Sequence, residues 1–120
     1  LVDQPWIQMN LAKVRAGIEA LKLVCYKQAW AMSEGQLEMA DASAAKVYGS
    51  EFFIEVYRLL GEIIGQASMI NRRTPGADPH AARIERLYRT ASIITFGGGT
   101  NEIQRDIISA AGLWMPRASR

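Results

Sequence analysis

The chain has 120 residues, 49% hydrophobic and 22% charged, the composition of one ordinary globular domain with a single core. A formal net charge of +2 is too small to argue for nucleic acid, which calls for clustered lysine and arginine. No run of eighteen apolar residues is present to cross a membrane. One histidine, His80, and one cysteine, Cys25, leave no metal-ligand spacing and no internal disulfide. Cys25 is expected to be a packed core thiol of a protein in a reducing cytoplasm, and His80 a solvated residue in the first turn of a helix. No signal peptide is expected. The opening on Leu1, a few residues before a helical pattern, reads as the tail of something longer or as a processed chain.

The first helix is expected from Asp3 to about Glu34. Ile7, Leu11, Val14, Ile18, Leu21, Cys25 and Met32 recur at steps of three and four, with Gln28 as a polar interruption. Lys13, Arg15, Glu19 and Lys22 fall largely off that stripe. Asp3 is the expected cap, Pro5 suits a first turn and Gly35 is a natural stop. The second helix is expected from about Asp41, capped by Asp41 or Ser43, to Ala67. Its apolar residues, among them Val47, Phe52, Ile54, Val56, Leu59 and Ile63, cover more than one stripe, so it is expected to be central. Gly49, Gly61 and Gly65 within it imply a close backbone approach, because each is worth up to about 1 kcal/mol less than alanine in a helix.

Residues 71–79, NRRTPGADP, have loop composition, with Asp78-Pro79 reading as a cap and first helical position. The third helix is expected from Pro79 to about Thr95, with Ile84, Leu87, Tyr88, Ala91 and Ile94 inward. Gly97, Gly98 and Gly99 end it. Thr100 caps a fourth helix to about Ala111, with Ile103, Ile107 and Ala110 inward and Glu102 suited to the helix dipole. The tail LWMPRASR is expected to be irregular. The fold class is therefore all-α, an antiparallel four-helix bundle of three long helices and one shorter C-terminal helix. Surplus apolar surface is expected to meet another domain or subunit.

Few residues bring chemistry. No histidine stands beside a serine or cysteine in a nucleophilic pattern. Glu51, Glu55, Glu62, Glu85 and Glu102 are spread out, and Arg89, two turns before the glycines, fits either a surface or a ligand. GGGT ahead of a helix has the free N–H groups of an anion site. It lacks the lysine of a P-loop and follows a helix rather than a strand. A plain turn and a ligand-facing turn both stay open, although three glycines lose much backbone entropy where a helix stop needs one.

The run LYRTASIITFGGGTNEIQRDIISAAG resembles the end of the C-terminal helical domain of acyl-CoA dehydrogenases. The likeness rests on Arg89, then Gly99, Thr100, Asn101, Glu102, Ile103, Gln104 and Arg105. SAAKVYGSEF looks like the family's middle helix, with Ala45-Lys46 and a following Glu51, and LLG at 59–61 like its glycine-containing end. The resemblance covers essentially all of residues 1–120. It implies a flavoprotein that oxidises acyl-CoA thioesters: a carboxylate removes the α-proton while the flavin takes the β-hydrogen as hydride. It also implies FAD contacts at Thr100, Asn101 and Glu102, and at Gly61 a contact with the FAD of a neighbouring subunit.

The departures are specific. Gly98 stands where many members carry the glutamate base, so no catalytic residue is expected here and the base would lie before Leu1. The family's Q-x-x-G-G stretch reads Arg58 to Glu62, with the glutamine and second glycine replaced. Pro5 stands where many members have an FAD-contacting glutamine. The pattern most resembles actinobacterial-type members, some of them mixed tetramers acting on bulky or steroid-derived acyl-CoAs. The expected partners are an acyl-CoA substrate and a homo- or hetero-oligomer, with no nucleic acid, membrane or metal. The alternatives are a non-catalytic partner subunit of a mixed tetramer and a ligand-free helical interaction module. The 120-residue chain alone is expected to be inactive.

Overall fold

In the computed structural model, residues 1–116 are described and all regular structure among them is helical. Helix α1 spans Pro5–Ser33 and α2 Met39–Ile64. A 3₁₀ turn, Gly65–Met69, follows α2. Helix α3 spans Pro79–Ile94, and α4, Asn101–Ile107, runs on into a π-helical turn, Ile108–Gly112. Pairs such as Asn10 with Glu62 and Gln28 with Asp41 set α1 antiparallel to α2. Lys46 with Asn101 and Ala40 with Gly112 do the same for α4. The all-helical bundle agrees with the periodicity, and α2 is central: α1, α3 and α4 all pack against it, while α1 touches no other helix among the described residues.

Helix ends differ from the expected ones where capping chemistry was assumed. Gln4, not Asp3, stands at the N-cap of α1 and makes no side-chain bond, and Pro5 follows at the first helical position, where its fixed φ suits the helix start. Helix α2 starts before Asp41 and Ser43, behind Glu38, and Ser43 is buried on its inner face. It ends at Ile64 because Gly65 is left-handed, φ +75°, so Ala67 falls in the 3₁₀ turn. At α3 the expectation holds: Asp78 accepts from the amides of His80 and Ala81, and His80 is exposed. Leu113–Pro116 is irregular, and the rest of the expected irregular tail, 117–120, lies outside the described residues.

The inner seam of α1 is Ile7, Asn10, Val14, Gly17, Leu21, Val24, Gln28 and Ala31, a strict alternation of three and four. The expected stripe shares only its Ile7, Val14 and Leu21 row. Leu11, Ile18, Cys25 and Met32 form a flanking row and are exposed, so Cys25 is not a core thiol. The reason is that one partner helix covers one narrow seam. Gln28 belongs to that seam, and its amide donates to the Asp41 carbonyl at 2.8 Å. Gly17 provides the closest approach: a Cβ there would enter the ring of Phe52, which stacks on Tyr48 at 5.9 Å. The central cluster joins Val14 to Val56 and Leu59, flanked by Phe52, Tyr57 and Leu60. Burying each such side chain is worth roughly 1.5–3 kcal/mol. On α3 the buried residues are small, Ala81, Ala82 and Ala91, so that helix lies close to α2 while the expected inward Tyr88 and Ile94 stay exposed, as does Ile103 on α4.

The molecule is elongated. Its radius of gyration is 17.8 Å, against about 14 Å for a compact chain of this length. Its accessible surface is 8720 Å², about 2,200 Å² more than a compact monomer of this mass presents. Much of the excess is apolar. Met9, Leu23 and Trp30, spaced by seven and fourteen residues along the outward side of α1, are 58%, 68% and 60% exposed.

Candidate functional site

The glycine turn between α3 and α4 is built by two left-handed residues, Gly98 at φ +71° and Gly99 at φ +95°. Left-handed backbone costs an ordinary residue roughly 1–2 kcal/mol, which accounts for two of the three glycines. A Cβ at Gly99 would also lie 3.0 Å from Nε2 of Gln104, which donates to the Gly98 carbonyl at 2.7 Å. A Cβ at Gly98 would meet nothing within 4 Å, so this glycine opens outward.

Helix α2 holds the turn from below. The Lys46 ammonium donates all three protons, to the carbonyls of Thr95 at 2.9 Å and Gly99 at 2.8 Å and to Oδ1 of Asn101 at 2.6 Å. Asn101 is 4% exposed. Its Nδ2 donates to Oγ of Ser50 at 3.0 Å and to Oε1 of Glu51 at 3.2 Å. Ser50 passes its own proton to the Val47 carbonyl at 3.1 Å, and Glu51 also accepts from Nη2 of Arg105 at 2.6 Å. The amide of Asn101 is thus fully used in positioning the turn, and only its backbone is left to offer a ligand.

Thr100 caps α4 as expected, its Oγ accepting from the Ile103 amide at 3.4 Å. Glu102 is exposed. Its own backbone N–H, then the Thr100 hydroxyl, hold its carboxyl below the usual glutamate value, with Arg105 and Lys46 adding to the effect. The amides of Gly98, Gly99, Thr100 and Asn101 have no hydrogen-bond partner among the described residues. A fixed loop, open on its outer side and presenting unpaired N–H groups, is what a polyanionic or carbonyl-rich cofactor would need.

Gly61 lies elsewhere. It is eleven residues beyond Ser50 on α2, about 16 Å along the axis. There it lines a cavity of about 470 Å³ with Tyr57, Met69, Ile84 and Tyr88. Its carbonyl accepts from Ser68 Oγ at 3.0 Å. Beside it Arg58 grips Glu55 with both Nη2, at 2.6 Å, and Nε, at 2.7 Å, and also pairs with Glu62. That contact holds the Glu55 carboxyl below its ordinary value and raises the guanidinium further. Glu62 accepts in addition from Asn10 of α1 at 3.3 Å. Arg89 falls on the surface of α3, held by Glu85 at 2.9 and 3.3 Å. Three of the four expected cofactor residues thus share the turn and the fourth does not. Sequence reasoning names Lys46 only in the family motif, Glu51 there and among scattered carboxylates, and does not join either to Ser50 or to the turn. Their signal was a lysine and a serine four apart on one face of an otherwise apolar helix.

A sequence profile of the acyl-CoA dehydrogenase C-terminal domain matches residues 1–113. The chain belongs to the acyl-CoA dehydrogenase family. It is 48% identical, over 123 aligned residues, to acyl-CoA dehydrogenase FadE26 of Mycobacterium tuberculosis (strain ATCC 25618 / H37Rv), with all of this chain and 30% of that protein covered. Among solved structures, the ChsE4–ChsE5 complex from Mycobacterium tuberculosis superposes with TM-score 0.86 at 49% identity, covering 98% of this chain and 30% of that one. The Tcur3481–Tcur3483 steroid ACAD superposes at 0.89 with 43% identity and the same coverage. The chain therefore spans about a third of the length of the relatives it matches. Among the described residues, no helix is long and apolar enough to cross a membrane, and no group of three or more His, Cys, Asp or Glu is placed to hold a metal ion.

Proposed function

We propose that residues 1–120 are the C-terminal helical domain of a longer, FAD-dependent acyl-CoA dehydrogenase, contributing flavin contacts, pocket lining and subunit interface. The observation that carries this reading is the fixed glycine turn with its unpaired amides, held by a half-buried lysine and a buried asparagine. Thr100 and the backbone of Gly99 and Asn101 would face the cofactor, with Glu102 ionised at the rim. Bound FAD would accept the hydride that leaves the acyl β-carbon.

This chain's own part is to hold the turn rigid and to leave space. Gly98 opens outward and brings no carboxylate, so the base comes from outside residues 1–120, and the room left suits a bulky acyl group. Steroid-derived acyl-CoAs are the favoured class, in keeping with the similarity to a protein described as a steroid ACAD. The test is dye reduction by the whole protein with branched or ring-bearing acyl-CoAs against short straight ones. Faster turnover of the short straight substrates would sink the substrate assignment. The isolated chain should neither retain FAD nor reduce the dye.

A partner-subunit role in a mixed assembly has support of its own. Around Gly61, Arg58 and Glu62 replace the family glutamine and second glycine, and they are committed to each other rather than to a neighbour's flavin. The excess of about 2,200 Å² of surface is also what one standard interface or more would cover. Co-purification with a second acyl-CoA dehydrogenase chain, with activity only in the mixture, would establish this role.

A further inference from the structure

The chain's cations are not evenly satisfied. Arg15, Lys22, Lys27, Arg58, Arg89 and Arg105 each pair with a carboxylate, and Lys46 is saturated by the glycine turn. Besides Lys13 on α1, four arginines have no ion-pair partner among the described residues: Arg72, Arg73, Arg83 and Arg86. They belong to one stretch. Residues 71–89 hold five arginines against two acids, a net +3 in a chain whose total is +2, so the remainder is net negative. Both acids of the stretch are occupied, Asp78 by the amides of His80 and Ala81 and Glu85 by Arg89.

Three of the four unpaired arginines line one cleft. Arg72 comes from the loop and Arg83 and Arg86 from α3, around a cavity of about 410 Å³ whose other walls are Ala77, Pro79 and Ala82. Small residues leave the space to the guanidinium groups. The loop is itself built, with the Arg73 amide donating to Oδ1 of Asn71 at 3.0 Å and the Thr74 amide to its carbonyl at 2.9 Å. The cleft sits at the N-terminal end of α3, a helix of sixteen residues, about 24 Å from end to end, whose other end carries the glycine turn.

We propose that Arg72, Arg83 and Arg86 form a binding site for a phosphate or diphosphate group of a nucleotide-type ligand, separate from the glycine turn. Guanidinium forks present paired N–H donors that match phosphoryl oxygens, and like charges left side by side without counter-charges are neutralised by an anion of high charge density. The concave shape and its size favour a phosphoryl group over a flat acidic protein surface. The site does not depend on the flavin reading, and its test is independent of it.

The test is isothermal titration of the whole protein, in its native assembly and at physiological salt, with pyrophosphate, ADP, coenzyme A and tetraglutamate. The expected result is binding of pyrophosphate and ADP, weakened at least tenfold in the Arg83→Ala/Arg86→Ala double variant and partly retained in Arg83→Lys/Arg86→Lys. Coenzyme A competing with pyrophosphate would identify the substrate's nucleotide as the source. Its failure to compete while ADP does would point to another diphosphate. The melting temperature of each variant, compared with wild type, serves as the folding control. Tetraglutamate binding more tightly than pyrophosphate would overturn the proposal in favour of an acidic protein partner. Pyrophosphate binding that is absent, or unaffected by the double alanine variant, would overturn it outright.

Discussion

At Lys46 and Ser50, α2 is tied to the glycine turn by short hydrogen bonds that converge on the buried Asn101; eleven residues on, at Gly61, it meets its surroundings through ion pairs that stay in water. Both places carry a residue that the family likeness associates with flavin, yet they are held by different physics. The buried Asn101 amide has no water to fall back on, so a partner removed from it leaves an unsatisfied group. The Glu55–Arg58–Glu62 set is exposed and loses little when broken. The turn is held in place by converging hydrogen bonds, whereas the Gly61 end is a surface whose charges answer each other.

Five substitutions and one titration probe this contrast, beginning with the largest effect. Asn101→Ala strips the third acceptor from Lys46 and the donor from Ser50 Oγ, and is expected to lower stability by about 3 kcal/mol in urea denaturation. Arg58→Ala at the other end should leave the midpoint unchanged. An equal loss in both variants would erase the distinction. Gly17→Val drives a branched side chain into the Phe52 ring and should cost about 2 kcal/mol, which tests whether α1 is seated where its seam says.

Within the turn, Gly99→Ala combines left-handed strain with contact on Gln104, for a loss of about 2 kcal/mol, while Gly97→Ala should lie within about 0.5 kcal/mol of wild type. The smallest effect is electrostatic. Because the folded-state pKa of Glu102 is depressed, its contribution to stability is present above the ordinary glutamate value and lost as pH falls through the lowered one. An NMR titration should find Glu102 titrating below about 4.3, moving back toward that value in Thr100→Val.

The fold was legible because its strongest signals are periodic or local. Four helical runs, the Asp78-Pro79 start and the Thr100 cap all depend on neighbours in sequence. What was not legible depends on how many sides of a helix find a partner. Leu11, Ile18, Cys25 and Met32 carry as good a period as the true seam, and they are exposed because α2 is the one helix packed on α1 among the described residues. The same applies to the turn. Gly98 and Gly99 announced a special backbone, but nothing local pairs Lys46 with Thr95, Gly99 and Asn101 some fifty residues away. The inward rotation of the Asn101 side chain, which makes its amide a support for the turn, is likewise a tertiary fact.

The measurement that bears most directly on the central claim is the FAD affinity of the whole protein in its assembly, by flavin fluorescence titration, for wild type against Thr100→Val. Valine keeps the shape of threonine but removes both the cap of α4 and the hydroxyl that steadies Glu102. A dissociation constant raised about tenfold or more, with helical content retained, is the predicted result. Wild-type affinity in Thr100→Val would contradict a flavin-facing role for the glycine turn.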